Sequence, residues 1–264
     1  MERRPEEGAR LIARAHLGKL RSAFRRLSDE KDAEALHDVR VGLRKLIGTL
    51  AAYRKLLPEK ITCETRRRVG KFLDATCSAR DAEVALALLP TLHGGTAAVS
   101  WLSARWTRQQ GAEQRWARRH IERKLPAVLR ALRRALKNYR ARVVDGPAPS
   151  FAVTFRDALL KESRVLAASI ERLQATGRQA ASHHVRLSAK RLRYLLEPLV
   201  GRSPVACQMT EQLTQIQDML GAERDGALLA EKLRQDSLRA PAALRAGIHQ
   251  LGDVASPEQR DPTS

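Results

Sequence analysis

The sequence repeats one short pattern at a fixed distance, and this repeat constrains the fold more than any other feature. HDVRVGLRKL begins at His37 and HHVRLSAKRL begins at His183, so the offset from 37 to 183 is 146 residues. In both copies, bases follow the histidine by three, seven and eight residues. The first two of these spacings place the bases on the same helix face as the histidine. The repeat therefore predicts a duplicated fold with two matched basic helix faces, which suit a polyanion between them.

Apolar residues recur at intervals of three and four along most of the chain, which predicts an all-α fold in a helical-bundle layout. A first helix ends near Ser28. We expect a break before Pro126, because proline suits the first turn of a helix. We expect another break before Asp225-Gly226, and a helix that starts near Asp81. Later helices are predicted at about 33–57, 62–76, 81–89, 97–120, 126–142, 151–175, 178–200, 204–221, 225–236 and 241–251.

The stretch from Asp145 to Ser150 contains one glycine and two prolines, which predicts a linker between the two repeats,. The first helical repeat, with extra basic helices, is then expected over 1–145 and the second over 150–252. The polar residues 253–264 are expected to form a disordered tail. Arg80-Asp81 recurs as Arg224-Asp225, and we interpret both as structural pairs at a helix start.

The composition points to an anionic partner. With 49 Lys and Arg against 29 Asp and Glu, the 264 residues carry a formal charge of +20, and 43% of them are hydrophobic. A basic chain that can still build a core suits nucleic acid, an acidic membrane surface or an inorganic polyanion. Cys63, Cys77 and Cys207 have no zinc or disulfide spacing, and no apolar run approaches the roughly 20 residues of a membrane span. We expect a cytoplasmic protein with no metal, no cofactor and no membrane partner.

The repeated helices supply the candidate site residues. The first face carries His37, Arg40, Arg44 and Ile47, and the second carries His183, Arg186, Lys190 and Arg193; Lys45 and Arg191 flank the two rows. Few acids lie three or four residues from these bases, Glu197 beside Arg193 being the exception. A solvated charged face, or duplication alone, would also explain the pattern. The scarcity of neutralising acids favours anion binding.

The two histidines allow two interpretations. Each can hold the start of its helix, or each can contact an anion and become charged beside it. Arg67 and Lys71 add a basic pair on the third helix, and Gln215 does not repeat Lys71 in the second half. A further row of Arg123, Arg130, Arg134 and Lys137 is interpreted as an exposed helix face. No catalytic residue is predicted, because neither histidine has a recurring nucleophile or carboxylate partner.

HDVRVGLRKL, SARDAEV, KRLRYLLE and IQDMLGAERD resemble the paired signatures of the CHAD domain family, over about residues 10–240. The resemblance implies two four-helix bundles related by pseudo-two-fold symmetry, with bases lining a central groove or pore. It also implies non-enzymatic binding of inorganic polyphosphate and association with polyphosphate granules; phosphate or sulfate ions would bind the same groups. The residues it implies as ligand contacts are Arg40, Arg44, Lys45, Lys71, Arg186, Lys190, Arg191 and Arg193, with His37 and His183 near the surface. Together with Arg67, from the basic pair on the third helix, these residues form the predicted polyphosphate-binding set.

Two alternatives from other classes remain open. A nucleic-acid-binding protein fits the charge, although only 4% of residues are aromatic, which disfavours base stacking,. A polyphosphate-processing enzyme would need metal-holding carboxylates and a phosphate-binding loop. The sequence has no P-loop and its acids are dispersed. Asp74 and Asp218 are the acids on which we would test this hypothesis.

Overall fold

The computed structural model describes residues 4–92, 95–139, 150–177 and 179–255, apart from the side chains of Lys60 and Gln179. These residues form helices, turns and short connections without a strand, so the all-α prediction is confirmed. Within this part of the chain no helix has the length and the apolar character that crossing a membrane requires. The predicted linker apart from Ser150, and most of the predicted tail, lie outside the described residues.

The helices follow in order along the chain. They are α1 (Pro5–Arg26), α2 (Ala35–Ala52), α3 (Thr65–Asp74), α4 (Cys77–Leu88), α5 (Thr96–Asn138), α6 (Phe151–Thr176), α7 (Gln179–Leu196), α8 (Pro204–Ser237) and α9 (Ala242–Ala255). A π-helical turn, Lys60–Glu64, precedes α3, and short 3₁₀ turns cover Leu89–Thr91 and Glu197–Leu199. The helix α9 reaches Ala255 and so extends into the segment predicted as a tail.

The ends of α6 have clear local causes. At its start the Ser150 side chain accepts a hydrogen bond from the backbone N–H of Val153 at 3.4 Å, as an N-cap serine does,. At its end Gly177 has a φ of 58°, and its N–H donates to the carbonyl of Leu173 at 2.8 Å. Only glycine adopts this left-handed conformation without strain.

The predicted break before Pro126 is wrong, because α5 continues through that residue. An interior proline removes a backbone hydrogen bond and costs about 3 kcal/mol. Burial on both sides offsets that cost: Ile121 and Leu125 precede the proline and Leu129 and Leu132 follow it, and all four are at most 4% exposed. Burying a leucine or isoleucine contributes roughly 1.5–3 kcal/mol.

The break predicted before Asp225-Gly226 is also wrong, because α8 runs on to Ser237. A glycine inside a helix costs about 1 kcal/mol, which buried Leu229 and Leu233 on the next turns offset,. The start predicted near Asp81 is displaced as well. The helix α4 begins one turn earlier at Cys77, which buries Ala79, and Arg80 pairs with Glu83 at 2.8 Å. Neither Arg-Asp pair therefore stands at a helix start.

The chain divides into two compact units. Unit 1 takes its described residues from Met1–Ala75 and Arg118–Gln217, and unit 2 from Thr76–Ala117 and Asp218–Ser264. Each unit thus combines residues from both predicted repeats. The predicted boundaries 1–145 and 150–252 follow the duplication of the sequence, and they remain a prediction about the repeats.

In unit 1, α1 packs against α2, α2 against α7, α7 against α6 and α6 against α1, so each repeat contributes one pair of neighbouring helices. Glycines allow close approach between these helices. A Cβ on Gly8 of α1 would collide with the Phe151 ring of α6, and one on Gly42 of α2 would lie 3.1 Å from Leu20 of α1. The helix α3 packs against α2. The repeated basic helices are therefore neighbours within one unit.

Unit 2 has its own apolar core, which includes Leu102, Trp106, Leu233 and Leu251. Asp236 is buried in this unit with 3% of its surface exposed. It accepts a hydrogen bond from Nε1 of Trp106 at 2.6 Å and one from Nε of Arg105 at 2.9 Å. A buried carboxylate needs such partners, because leaving it without them would cost several kcal/mol.

Candidate polyanion-binding site

The two copies of the sequence repeat meet where α2 packs on α7. Tyr194 lies 146 residues after Gly48, so the two residues are equivalent positions of the repeat. A Cβ on Gly48 would lie 3.2 Å from Cδ2 of Tyr194. The glycine therefore permits a close contact between equivalent turns of the two basic helices.

The row on α2 is less exposed than a solvated charged face would be. Arg40 retains 8% of its surface, and His37 and Arg44 are half-buried. Nε of Arg44 is buried and has no hydrogen-bond partner among the described residues. A buried donor without an acceptor costs about 1–3 kcal/mol. The Arg44 guanidinium thus retains donor capacity for an added anion.

The row on α7 is half-buried as well. Arg186, Lys190 and Arg193 are partly covered, whereas His183 is exposed, with its ring centroid 6.4 Å from that of His184. Nη1 of Arg193 donates to Oγ1 of Thr214 at 3.2 Å, and its Cζ lies 5.4 Å from the Tyr194 ring centroid. Nε of Arg193 is buried without a partner in the described structure. These contacts fix the guanidinium and leave part of its donor set available.

Glu197 neutralises a different base from the one its spacing suggests. Its carboxylate lies 2.6 Å from Nζ of Lys45 and 3.7 Å from Nζ of Lys19, whereas Arg193 bonds Thr214. The pair joins α2 to the turn that follows α7. Lys45 therefore has a protein carboxylate as its partner, while Arg191, its equivalent in the second copy, is exposed and has no ion pair among the described residues.

His16 is buried beside the Lys45–Glu197 ion pair, and sequence reasoning did not identify it. Its Nδ1 lies 2.7 Å from Oγ1 of Thr49, whose hydroxyl donates to the Lys45 carbonyl at 3.0 Å. Because that hydroxyl has one hydrogen, Nδ1 of His16 carries a hydrogen and donates it to Oγ1 of Thr49. Burial lowers the pKa of His16, and the Lys19 and Lys45 charges add to this effect against the opposing effect of Glu197. Its position on α1, outside the repeat, carried no signal for this role.

The basic pair of α3 lies in the same unit. Arg67 and Lys71 are both exposed, and neither forms an ion pair within the described part of the chain. Their neighbour Arg68 instead pairs with Glu64 at 2.5 Å. The α3 pair is therefore available to an external anion.

A longer basic row runs along the part of α5 that belongs to unit 1. The predicted row of Arg123, Arg130, Arg134 and Lys137 is exposed, as expected, and Arg119 and Arg133 lie on the same face. The six bases span 119–137, about 27 Å of helix at 1.5 Å per residue. Burial lowers the pKa of His120, and the charges of Lys124 and Arg123 lower it further.

Comparison with known proteins adds a family and a fold. The family model of the CHAD domain matches residues 11–254. The chain is similar to the crystal structure of the CHAD domain from the plant Ricinus communis, with 23% identity and a TM-score of 0.79; the match covers 96% of this chain and 86% of that one. It is also similar to PptA from Streptomyces chartreusis, with 17% identity and a TM-score of 0.75, over 96% and 94% of the two chains. A search of curated proteins finds no significant match.

Proposed function

Because the chain belongs to the CHAD domain family, we propose that it binds inorganic polyphosphate without chemical turnover, through the basic rows of α2 and α7. The observation that carries this proposal is the packing of the two copies against each other at Gly48 and Tyr194. One linear polyanion then meets bases from both copies. Arg67 and Lys71 of α3 extend the set of bases in the same unit.

Partly buried arginines suit this ligand. Arginine grips phosphate oxygens with two parallel hydrogen bonds, and lysine adds a point charge. Arg44 and Arg193 each retain a buried Nε without a partner among the described residues. A phosphate oxygen would satisfy these donors once each guanidinium group turns toward the ligand. Side chains already held by their surroundings also lose less conformational entropy when the polyanion binds.

The test compares chain lengths and salt concentrations. Long-chain polyphosphate can follow both basic rows along their length, whereas tripolyphosphate can contact only a few of their bases at once, and linked contacts raise affinity by effective concentration. We expect long-chain polyphosphate to bind at least tenfold more tightly than tripolyphosphate, after correction for the number of binding positions that one long chain offers. We also expect a steep loss of affinity with salt, as for duplex DNA, where the slope is about −0.9 per phosphate neutralised. Equal affinity for the two lengths would contradict binding across both copies.

The absence of turnover is part of the proposal and has its own assay. Polyphosphate is incubated with the protein and Mg²⁺, and released phosphate is measured. We expect release at the rate of the protein-free control. Release that is lost in Asp74→Asn or in Asp218→Asn would instead make the protein a polyphosphate-processing enzyme.

We also propose that this binding places the protein at polyphosphate granules in the cytoplasm. A fluorescent fusion of the full chain should colocalise with the granules, and Arg44→Glu/Lys190→Glu should disperse it. A fusion that colocalises equally well with both changes would place the cause of localisation elsewhere in the chain.

The α5 row supports nucleic-acid binding as a second candidate function. Its six exposed bases lie on one helix face, which suits contacts to a sugar-phosphate backbone without base recognition,. Direct titrations with each polymer separate the two candidates. Duplex DNA that binds more tightly than polyphosphate at equal phosphate concentration, and that loses affinity in Arg130→Glu/Arg134→Glu, would favour the second candidate.

A further inference from the structure

A cavity of about 530 Å³ lies in unit 1 beside the C-terminal end of α2, lined also by α6, α7 and the start of α3. Its size is within the range of small-ligand sites, about 300–1,000 Å³. Residues that line it include Ala51, Tyr53, Arg66, Glu162 and Arg191. Of these, only Arg191 belongs to the predicted polyphosphate contacts.

The sequence repeat explains why α2 places no carboxylate beside Arg191 in this cavity. The offset of 146 that relates the copies pairs Lys45 with Arg191 and Ala51 with Glu197. Lys45 meets Glu197 at 2.6 Å. By the same offset, Ala51 is the residue that corresponds to Glu197 for Arg191. Arg191 thus has an alanine where Lys45 has a carboxylate, and Arg191 and Ala51 both line the cavity. The cavity therefore offers a base whose equivalent in the other copy is already neutralised.

Three residues that line the cavity carry buried polar atoms without partners among the described residues. The hydroxyl of Tyr53, Nε of Arg66 and Oε2 of Glu162 are buried, and the described structure gives none of them a hydrogen bond. Tyr53 is only 2% exposed, and its ring packs on Phe151 with centroids 6.0 Å apart. Each such atom costs about 1–3 kcal/mol unless something satisfies it. Burial raises the pKa of Tyr53, so its hydroxyl keeps its proton and can donate.

The charges of the lining specify the ligand further. Five bases, Arg54, Lys55, Arg66, Lys161 and Arg191, face two acids, Asp157 and Glu162. This excess favours an anion with more than one negative charge. Glu162 needs a hydrogen-bond donor, and an ionised polyphosphate chain offers acceptors only. A hydroxyl group supplies that donor, and a phosphate group supplies the acceptors.

We propose that this cavity binds a small phosphate ester that carries hydroxyl groups. Its phosphate lies against Arg66 and Arg191. There the phosphate has the same role for Arg191 that the carboxylate of Glu197 has for Lys45 in the other copy. Its hydroxyl groups donate to Glu162 and bond Tyr53. The cavity therefore takes a different class of ligand from the basic rows of α2 and α7. Its proposed ligand does not depend on polyphosphate binding.

Calorimetry with three probes at low ionic strength tests the ligand class. We expect glucose 6-phosphate to bind at least tenfold more tightly than inorganic phosphate, and glucose to give no measurable binding. Glucose 6-phosphate that binds no more tightly than inorganic phosphate, or does not bind, overturns the proposal. Long-chain polyphosphate, measured on the same protein, reports the proposed function separately: either ligand can fail while the other binds.

Ala51→Glu and Ala51→Gln test the assigned position with side chains of equal size. The glutamate restores the missing carboxylate opposite Arg191, so we expect glucose 6-phosphate affinity to fall at least tenfold. The glutamine should lower it less than threefold. Equal losses in the two variants would show a steric effect and would contradict the assignment.

Tyr53→Phe provides a variant that keeps the shape of the core. It should lower the affinity for glucose 6-phosphate severalfold. The affinity for long-chain polyphosphate should stay unchanged, because Tyr53 lies outside the basic rows. An unchanged glucose 6-phosphate affinity would contradict the proposed hydrogen bond between Tyr53 and the ligand.

Discussion

Gly48 and Tyr194 occupy equivalent positions of the two sequence repeats and touch each other where α2 packs on α7. The contact brings together two basic rows that are 146 residues apart in sequence. A polyanion can meet both rows only while this packing is kept. The contact is therefore the structural basis of the proposed function, and the glycine at its centre can be tested directly.

Gly48→Leu should separate the two helices. A Cβ alone would lie 3.2 Å from Tyr194, and a full side chain in a packed contact costs about 1–3 kcal/mol. We expect a lower free energy of unfolding in urea and at least fivefold weaker polyphosphate binding. Gly18→Leu is the control, because Gly18 lies on α1 and the described residues place no atom within 4 Å of its Cβ position. Equal effects of the two substitutions would contradict a specific role for the Gly48 contact.

Glu197→Gln should strengthen polyphosphate binding. Removal of the carboxylate that pairs with Lys45 at 2.6 Å releases that base to the ligand. We expect a severalfold gain in affinity and a salt slope steeper by about one phosphate contact. The ion pair is partly exposed, so the loss of stability should stay below about 1 kcal/mol.

The control for this gain is Glu171→Gln, which removes the same charge from an exposed position of α6. It should raise affinity much less, since it changes only the net charge. If Glu197→Gln and Glu171→Gln bind polyphosphate equally well, the pairing of Lys45 with Glu197 does not limit polyphosphate binding.

His16 should make stability depend on pH. Burial holds its pKa below the unfolded value of 6.5, so the neutral ring stabilises the fold. This contribution is complete above pH 6.5 and is lost as the pH falls through the folded pKa. Urea unfolding at pH 7.5 and 5.5 should show a loss of stability in the wild type that is smaller in His16→Gln. His120→Gln, at a far more exposed histidine, is the control and should retain most of the pH dependence.

Asp236→Ala should destabilise unit 2. The change leaves Nε1 of Trp106, now bonded at 2.6 Å, buried without an acceptor and removes the partner of Arg105. Breaking a buried pair on one side costs about 3–5 kcal/mol. Thermal unfolding of the full chain should show this loss, whereas Asp253→Ala, at an exposed position of α9, should unfold like the wild type.

The sequence predicted the helices whose signals are local. The apolar period located α2 and α7, and the repeated bases on them are the rows that the structure brings together in unit 1. Pro126 and Asp225-Gly226 predicted breaks that do not exist, because burial of the leucines on neighbouring turns exceeds the local cost of proline or glycine. Whether a helix continues through such a residue depends on tertiary packing, which local residue preferences do not predict.

The partners of the bases could not be predicted in the same way. Helical spacing assigned Glu197 to Arg193, but the carboxylate lies against Lys45, more than 150 residues earlier in the chain. His16 and Tyr53 carried no motif, because their roles arise from burial next to residues of other helices. The offset of 146 becomes informative about Ala51 and Arg191 only after the structure has shown that Lys45 and Glu197 are paired.

Calorimetry of long-chain polyphosphate with Arg44→Glu/Lys190→Glu tests the central claim most directly, since the pair reverses one base in each copy. Arg164→Glu/Arg172→Glu changes the net charge equally, at exposed positions of α6. If α2 and α7 grip one chain together, the first pair should lower the affinity at least a hundredfold and the second less than tenfold. Equal affinities of the two double variants would contradict the account.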